Sequence, residues 1–168
     1  MTAPSNGKVA VVVADERSPD DSPTAHIDLD RWRQLAEDAL SAEAAVGELT
    51  LTFVDASEIA AMNAEYMGKV GPTDVLSFPM DDDPTPGVPT LLGDVVISPA
   101  VAAGQYAEHA GTFDDEIALL VVHGVLHVLG FDHAEADQAA VMRRRELELL
   151  EAHRWAGSAP VGFRQVHD

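Results

Sequence analysis

His123-Gly124-Val125-Leu126-His127-Val128-Leu129-Gly130-Phe131-Asp132-His133 is the stretch on which the reading of this chain turns. The first two histidines are four residues apart, so on a helix they stand one turn apart on one face. Gly130 is suited to ending that helix through a left-handed turn. The chain can then fold back and present His133 as a third imidazole. A lone histidine on an apolar helix is usually a core residue with a hydrogen-bond partner. Here three of the chain's seven histidines fall within eleven residues, flanked by mostly apolar neighbours at 117–122 and 125–131. A helix that is apolar nearly all round is buried, and three buried imidazoles need partners. One metal ion satisfies all three. The spacing predicts a catalytic-type zinc site, one ion per chain, with the fourth position open to water or substrate.

The residue between the histidines narrows the chemistry. The spacing equals that of the zinc peptidases that read H-E-x-x-H-x-x-G-x-x-H. Their glutamate is the general base, and Gly124 stands in its place. The metal frame is kept and the peptidase base is absent, so ordinary peptidase chemistry needs another carboxylate.

Composition bounds the rest. The chain has 168 residues and 46% apolar residues, enough for one domain with a real core. No apolar run is long enough to span a bilayer, and residues 1–7 lack a basic start and an apolar signal core. Cysteine is absent, which excludes disulfides and thiolate ligands and fits a reducing compartment; a cytoplasmic protein is expected. Nitrogen and oxygen must then provide any metal ligands. The net charge of −19 argues against tight unaided binding to nucleic acid, which usually needs a basic surface. The only lysines are Lys8 and Lys69. Arg143-Arg144-Arg145 reads as a solvated helix face paired with Glu146, Glu148 and Glu151.

Hydrophobic periodicity places the elements. Residues 8–14 form a short β-branched run, a buried strand. Residues 15–27 are a loop. Asp28 or Asp30 caps a helix running to about Val46, with Gly47 as its stop. Residues 48–55 alternate as a half-buried strand, and Ser57 caps a short helix through Tyr66. Residues 73–78, between Pro72 and Pro79, read as an edge strand, able to pair with an extended ligand and wall a cleft. Residues 80–90 are acidic and proline-rich, a surface loop whose three aspartates read as solvated. A strand at 92–98 is followed by a helix from Pro99 to about Ala110. Thr112 with Asp115 makes a capping-box-like start for the histidine helix. A last helix runs from about Glu135 to Trp155, and the tail from Gly157 is expected to be loose. There is no internal repeat or linker. The expected fold is α+β, a single domain over 1–168 with its core at about 8–155. A mixed sheet of about four strands packs with about five helices, and the metal site lies on a helix and turn. No self-pairing helix is evident, so a monomer is expected.

Three blocks then carry a resemblance. His123-Gly124-x-Leu126-His127-x-x-Gly130-x-Asp132-His133 resembles the signature of the YbeY family, metal-dependent endoribonucleases of bacterial ribosomal RNA maturation. The block from Gly71 through Thr73-Asp74-Val75-Leu76-Ser77-Phe78-Pro79 is similar to that family's P-T-D-V-L-S-F-P segment. Leu92-Gly93-Asp94-Val95-Val96-Ile97-Ser98 is similar to its L-G-D-I-x-I-S strand. The blocks occur in the family's order and cover roughly residues 8–155. The resemblance implies a single-strand-specific endoribonuclease that matures the 3′ end of 16S rRNA and serves ribosome quality control. It implies rRNA and the small ribosomal subunit or its assembly factors as partners. His123, His127 and His133 are then both metal ligands and catalytic residues. A zinc ion there would activate water and polarise a phosphoryl oxygen.

Other candidates stay open at this point. Asp132 either orients a ligating imidazole or caps the following helix. Asp74, Ser77 and Asp94 are candidates for a base or for contacts behind the ligands. One departure stands out: Met67 occupies the position of a family arginine thought to help bind or cleave RNA. A thioether cannot bind phosphate as a guanidinium does, and Lys69 is the nearest substitute cation. Two other readings share the frame: a non-catalytic ribosome-assembly factor with a structural zinc, and a zinc metallopeptidase-like hydrolase.

Overall fold

The computed structural model describes residues 8–19, 26–80, 87–88 and 90–165. Its strands are β1 (Val9–Asp15), β2 (Gly47–Phe53), β3 (Val75–Pro79) and β4 (Leu91–Ile97). Its helices are α1 (Leu29–Ala42), α2 (Ala56–Met62), α3 (Pro99–Ala103), α4 (Phe113–Val128) and α5 (Ala136–Leu150). The strands form one mixed sheet in the order β1-β2-β4-β3. β1 pairs parallel to β2 and β2 parallel to β4, while β3 pairs antiparallel to β4 with Ser77 opposite Val95. This is the expected α+β arrangement, with β3 on the edge as its flanking prolines require.

Strand alternation divides the core. Val11, Leu49, Leu51, Phe53, Val95 and Ile97 point to one face, where α1, α4 and α5 cover them in the main cluster. Leu76 and Val96 point to the other, where Val54 and Ile59 close a smaller cluster with Met62 and Phe78 at its border. α4 is buried on nearly every side, from Asp115 through Leu126, and touches α1, α5, β3 and β4. It lies close against the sheet at Gly124. A methyl group there would lie 2.5 Å from Cγ1 of Val95 and 3.4 Å from Oγ of Ser77.

Several boundaries differ from the sequence expectation. α1 ends at Ala42, four residues early: Ala45 N donates to Leu40 O and Ala44 N to Ser41 O, with Ala44 at φ 57°. This is the left-handed helix ending usually marked by glycine, and here alanines hide it. Gly47 opens β2 instead. Asp28, not Asp30, is the cap, accepting from Arg31 N at 3.2 Å. Residue 55, not Ser57, precedes α2, and the Asp55 carboxylate accepts from Ser18 N at 3.0 Å. α2 passes into a π-helical turn, Asn63–Met67, which ends at Gly68. α3 is shorter than expected and is followed by a 3-10 turn, Tyr106–Glu108. Of the loops expected at 15–27 and 80–90, residues 20–25, 81–86 and 89 lie outside the described residues, and with them the three aspartates.

The tail is not loose where it is described. Phe163 packs edge-on against Trp155 at 4.8 Å, and Arg164 N donates to His109 O at 3.0 Å. An aromatic anchor and a backbone bond outweigh the local preference of glycine, serine and proline for loop.

The close approach at Gly124 gives a direct prediction. Gly124→Ala overpacks a stiff β-branched neighbour, at a cost of about 1–3 kcal/mol, against about 1 kcal/mol gained in helix propensity. The variant should unfold at lower urea than the wild type. Gly124→Ala should cost less in a Val95→Ala background than in the wild type, and a Gly124→Ala variant more stable than the wild type would contradict the packing.

Candidate metal centre

α4 places His123 and His127 one turn apart, and the helix then ends in a way that sequence makes legible. Gly130 N donates to His127 O at 3.0 Å and Phe131 N to Leu126 O at 2.9 Å. Gly130 sits at φ 103°, a conformation open to glycine and strained for other residues. Phe131 turns back onto the core, and the chain reverses to bring His133 over the other two. Ring centroids are 4.7 Å apart for His123 and His127, 4.9 Å for His127 and His133, and 5.4 Å for His123 and His133. One nitrogen from each ring lies within 4.8 Å of those of the other two. Among the described residues, these three histidines are the group of side chains placed to share a metal ion.

His123 is buried, whereas His127 and His133 are half-buried, so the cluster has a closed back and an open front. The back is held by a residue that sequence reading had put on the solvated face of α5. Glu146 is fully buried, and its Oε2 lies 2.6 Å from Nδ1 of His123. A carboxylate at that nitrogen fixes it as the N–H donor and leaves the Nε2 lone pair for a metal. The only sequence signal for Glu146 was its place beside Met142 and Leu149 on the buried stripe of α5.

Electrostatics suit an imidazole cluster that binds a cation. Burial, then the nearby His123 and His133, push the pKa of His127 down to about 4, so its lone pair is available at neutral pH. The donor set is all nitrogen, with no thiolate, which suits first-row ions that take imidazole, zinc, copper, iron and nickel among them.

The remaining candidates are distributed differently. Oγ of Ser77 donates to Gly124 O at 3.3 Å, tying β3 to the helix turn between the first two histidines. Asp132 neither bonds an imidazole nor caps α5. Its Oδ1 accepts from its neighbour His133 N at 2.7 Å, and Glu135 takes the cap position. Asp132 thus shapes the turn that carries His133, and its charge partly offsets the fall in His127 basicity. Asp74 is buried away from the histidines, accepting from Gln105 Nε2 at 2.9 Å; the same amide also donates to Glu116 at 2.9 Å. Asp94 alternates with Val95 and so lies on the sheet face away from α4, opposite Phe78. Lys69 and Met67 are exposed on the turn after α2. That turn is held to the β3 block by Asn63, whose Nδ2 donates to Gly71 O at 3.0 Å, and by Tyr66, edge-on to Phe78 at 5.4 Å. The arginine triplet divides: Arg145 pairs with Glu43 and Glu148, while Arg143 and Arg144 are exposed.

A mixed sheet carrying a buried helix with a three-histidine group that could hold a metal ion defines an α+β protein with a candidate metal centre. The family model described as Endoribonuclease YbeY matches residues 19–154, and this chain belongs to that family. A Frankia casuarinae protein named Endoribonuclease YbeY is 41% identical over 165 residues, 89% of this chain and 76% of that protein. A protein of the same name from Acidothermus cellulolyticus is 48% identical over 120 residues, 65% of this chain and 72% of its own. The Mycolicibacterium gilvum protein of that name is 46% identical over 112 residues, and the match spans 62% of each chain. A solution structure of a Thermotoga maritima protein shares the fold at TM-score 0.54 and 21% identity, covering 87% of this chain and 93% of that one.

The Glu146 contact predicts a loss that leaves all three histidines in place. Glu146→Gln should weaken zinc binding by about 10–100-fold, as removal of a partner behind a ligand does. Chelator competition measures it, and unchanged affinity would remove Glu146 from the centre.

Proposed function

We propose that this protein is a zinc-dependent endoribonuclease cleaving single-stranded RNA, with His123, His127 and His133 holding one ion at the cleavage centre. The observation that carries the reading is a three-imidazole site whose helix excludes a side chain at position 124. Relatives named for endoribonuclease activity support it. A peptidase-like glutamate at that position would have to pass through Val95 of β4, so packing as well as sequence disfavours peptidase chemistry. An ion held there would supply Lewis-acid charge beside a scissile phosphodiester. The chain's own residues do the rest. Glu146 holds the His123 ring with its Nε2 outward, the Gly130 turn brings His133 over the pair, and Ser77 anchors edge strand β3 alongside.

The biological setting proposed is maturation of ribosomal RNA, at the 3′ end of 16S rRNA, and ribosome quality control. The protein would act in the cytoplasm as a monomer, with the small ribosomal subunit or its assembly factors as partners. No described helix is long and apolar enough to cross a membrane. Charge supports a guided rather than a free-standing nuclease. Arg17, Arg31, Arg33, Arg145 and Arg154 are each in an ion pair with a carboxylate, which reduces what they offer a phosphate backbone. A specific observation keeps the non-catalytic assembly-factor reading as the second one: the position of the family arginine presents Met67, 42% exposed.

Cleavage of a labelled single-stranded RNA, with and without zinc, tests the proposal. Wild-type protein should cut only with the metal. His123→Ala should lower the rate by at least about a hundredfold, beyond what losing a partner behind a ligand costs. Folded, zinc-loaded protein that cuts no RNA, alone or on small-subunit precursors, would favour the assembly-factor reading. Met67→Arg should tighten RNA binding about tenfold, the worth of one charge-assisted hydrogen-bonded contact of about 1.5 kcal/mol; an unchanged affinity would mean that RNA passes elsewhere.

A further inference from the structure

Eleven residues beyond the family match, the chain returns to the metal centre. After the π-helical turn Glu151–Trp155, Gly162 O lies 3.5 Å from where a methyl group on Gly111 would stand, and Phe163 N donates to Pro160 O at 3.2 Å. The Phe163 ring lies against Trp155, itself pinned by its Nε1 bond to the buried Asp115 at 3.0 Å. Arg164 N then bonds His109 O. These contacts deliver Gln165 to the flank of α5. Its Nε2 donates to Arg143 O at 2.6 Å and to Oε1 of Glu146 at 3.1 Å. Both partners are acceptors, so the amide nitrogen must face them.

Glu146 is thereby held on both oxygens, Oε2 by His123 and Oε1 by Gln165. Two fixed bonds in different directions stop a buried carboxylate from rotating, and its orientation sets the plane and tautomer of the imidazole it holds. Loss of the outer bond leaves Oε1 a buried acceptor short of one partner, a cost the carboxyl group relieves by turning away from its present geometry. We propose that Gln165 is a positioning residue of the metal centre, fixing Glu146 and through it His123. Within this C-terminal segment, residues 163–165 then serve the site, although the family match ends at residue 154. This rests on the metal-centre reading above.

Gln165→Met keeps the length of the side chain and removes its donor. Three measurements on the whole chain test it: zinc affinity by chelator competition, the Nδ1 proton signal of His123 in metal-free protein, and the melting temperature without metal. Val161→Ala, at a fully exposed position of the same segment, is the control and should match the wild type. For Gln165→Met, zinc affinity should fall about tenfold, the low end for partners behind a ligand. The short Glu146–His123 bond should give a sharp downfield proton in the wild type that broadens in the variant. Wild-type affinity with an unchanged proton signal would overturn the proposal and leave the metal centre standing. A weaker affinity with an unchanged proton and a lowered metal-free melting temperature would also overturn it, by showing general loosening. Failure of the wild type to bind zinc would overturn the metal-centre reading itself, and this proposal with it.

Discussion

The distance between α4 and strand β4 at Gly124 is the constraint on which the site depends. With no side chain at that position, the helix lies against Val95 and Ser77 closely enough that a methyl group has no room. His123 and His127 flank this contact, so the depth of the helix sets how far each imidazole is withdrawn from solvent. His123 ends up buried and His127 half-buried. The same contact separates this centre from peptidases of equal histidine spacing: where they carry a general base, this chain carries a packing contact.

Behind the three histidines stands a second layer built from parts of the chain far apart in sequence. Glu146 comes from α5 and reaches His123 across 23 residues. α5 runs back along α4, so that its end meets the start of α4, where Arg154 and Trp155 bond Asp115. Burying a carboxylate is expensive unless its oxygens are bonded, and Glu146 meets that condition with an imidazole on one oxygen and an amide on the other. Such an arrangement limits ring motion and prepares the site for an ion.

Much of this was legible in the sequence because the chemistry is local. The three histidines, the last turns of the helix that carries two of them and the glycine turn that returns the third lie within eleven residues. A helix period and a glycine signal are enough to relate them. The edge position of β3 was legible from its two prolines. The rest was hidden for physical reasons. α1 ends through an alanine in the left-handed region, with no glycine to mark it. Glu146 sits among charged neighbours and is set apart only by the face of α5 it occupies, which tertiary packing decides. Asp94 looked like a site residue from its block, yet strand alternation sends it to the opposite face. The tail has the composition of a loop, and long-range contacts through Phe163 and Arg164 override that preference.

Charge fits the same account. A chain at −19 that holds five of its eight arginines in ion pairs has few cations to offer RNA by itself, so a cation at the histidine cluster would be the main attraction for a phosphate group. The central claim is that three imidazoles share one ion. X-ray absorption on the zinc-loaded protein tests it most directly. The account predicts one zinc per chain with three imidazole nitrogens at about 2.0–2.1 Å and one oxygen donor completing four-coordination. A spectrum showing fewer than three imidazoles, or an oxygen-only shell, would contradict it.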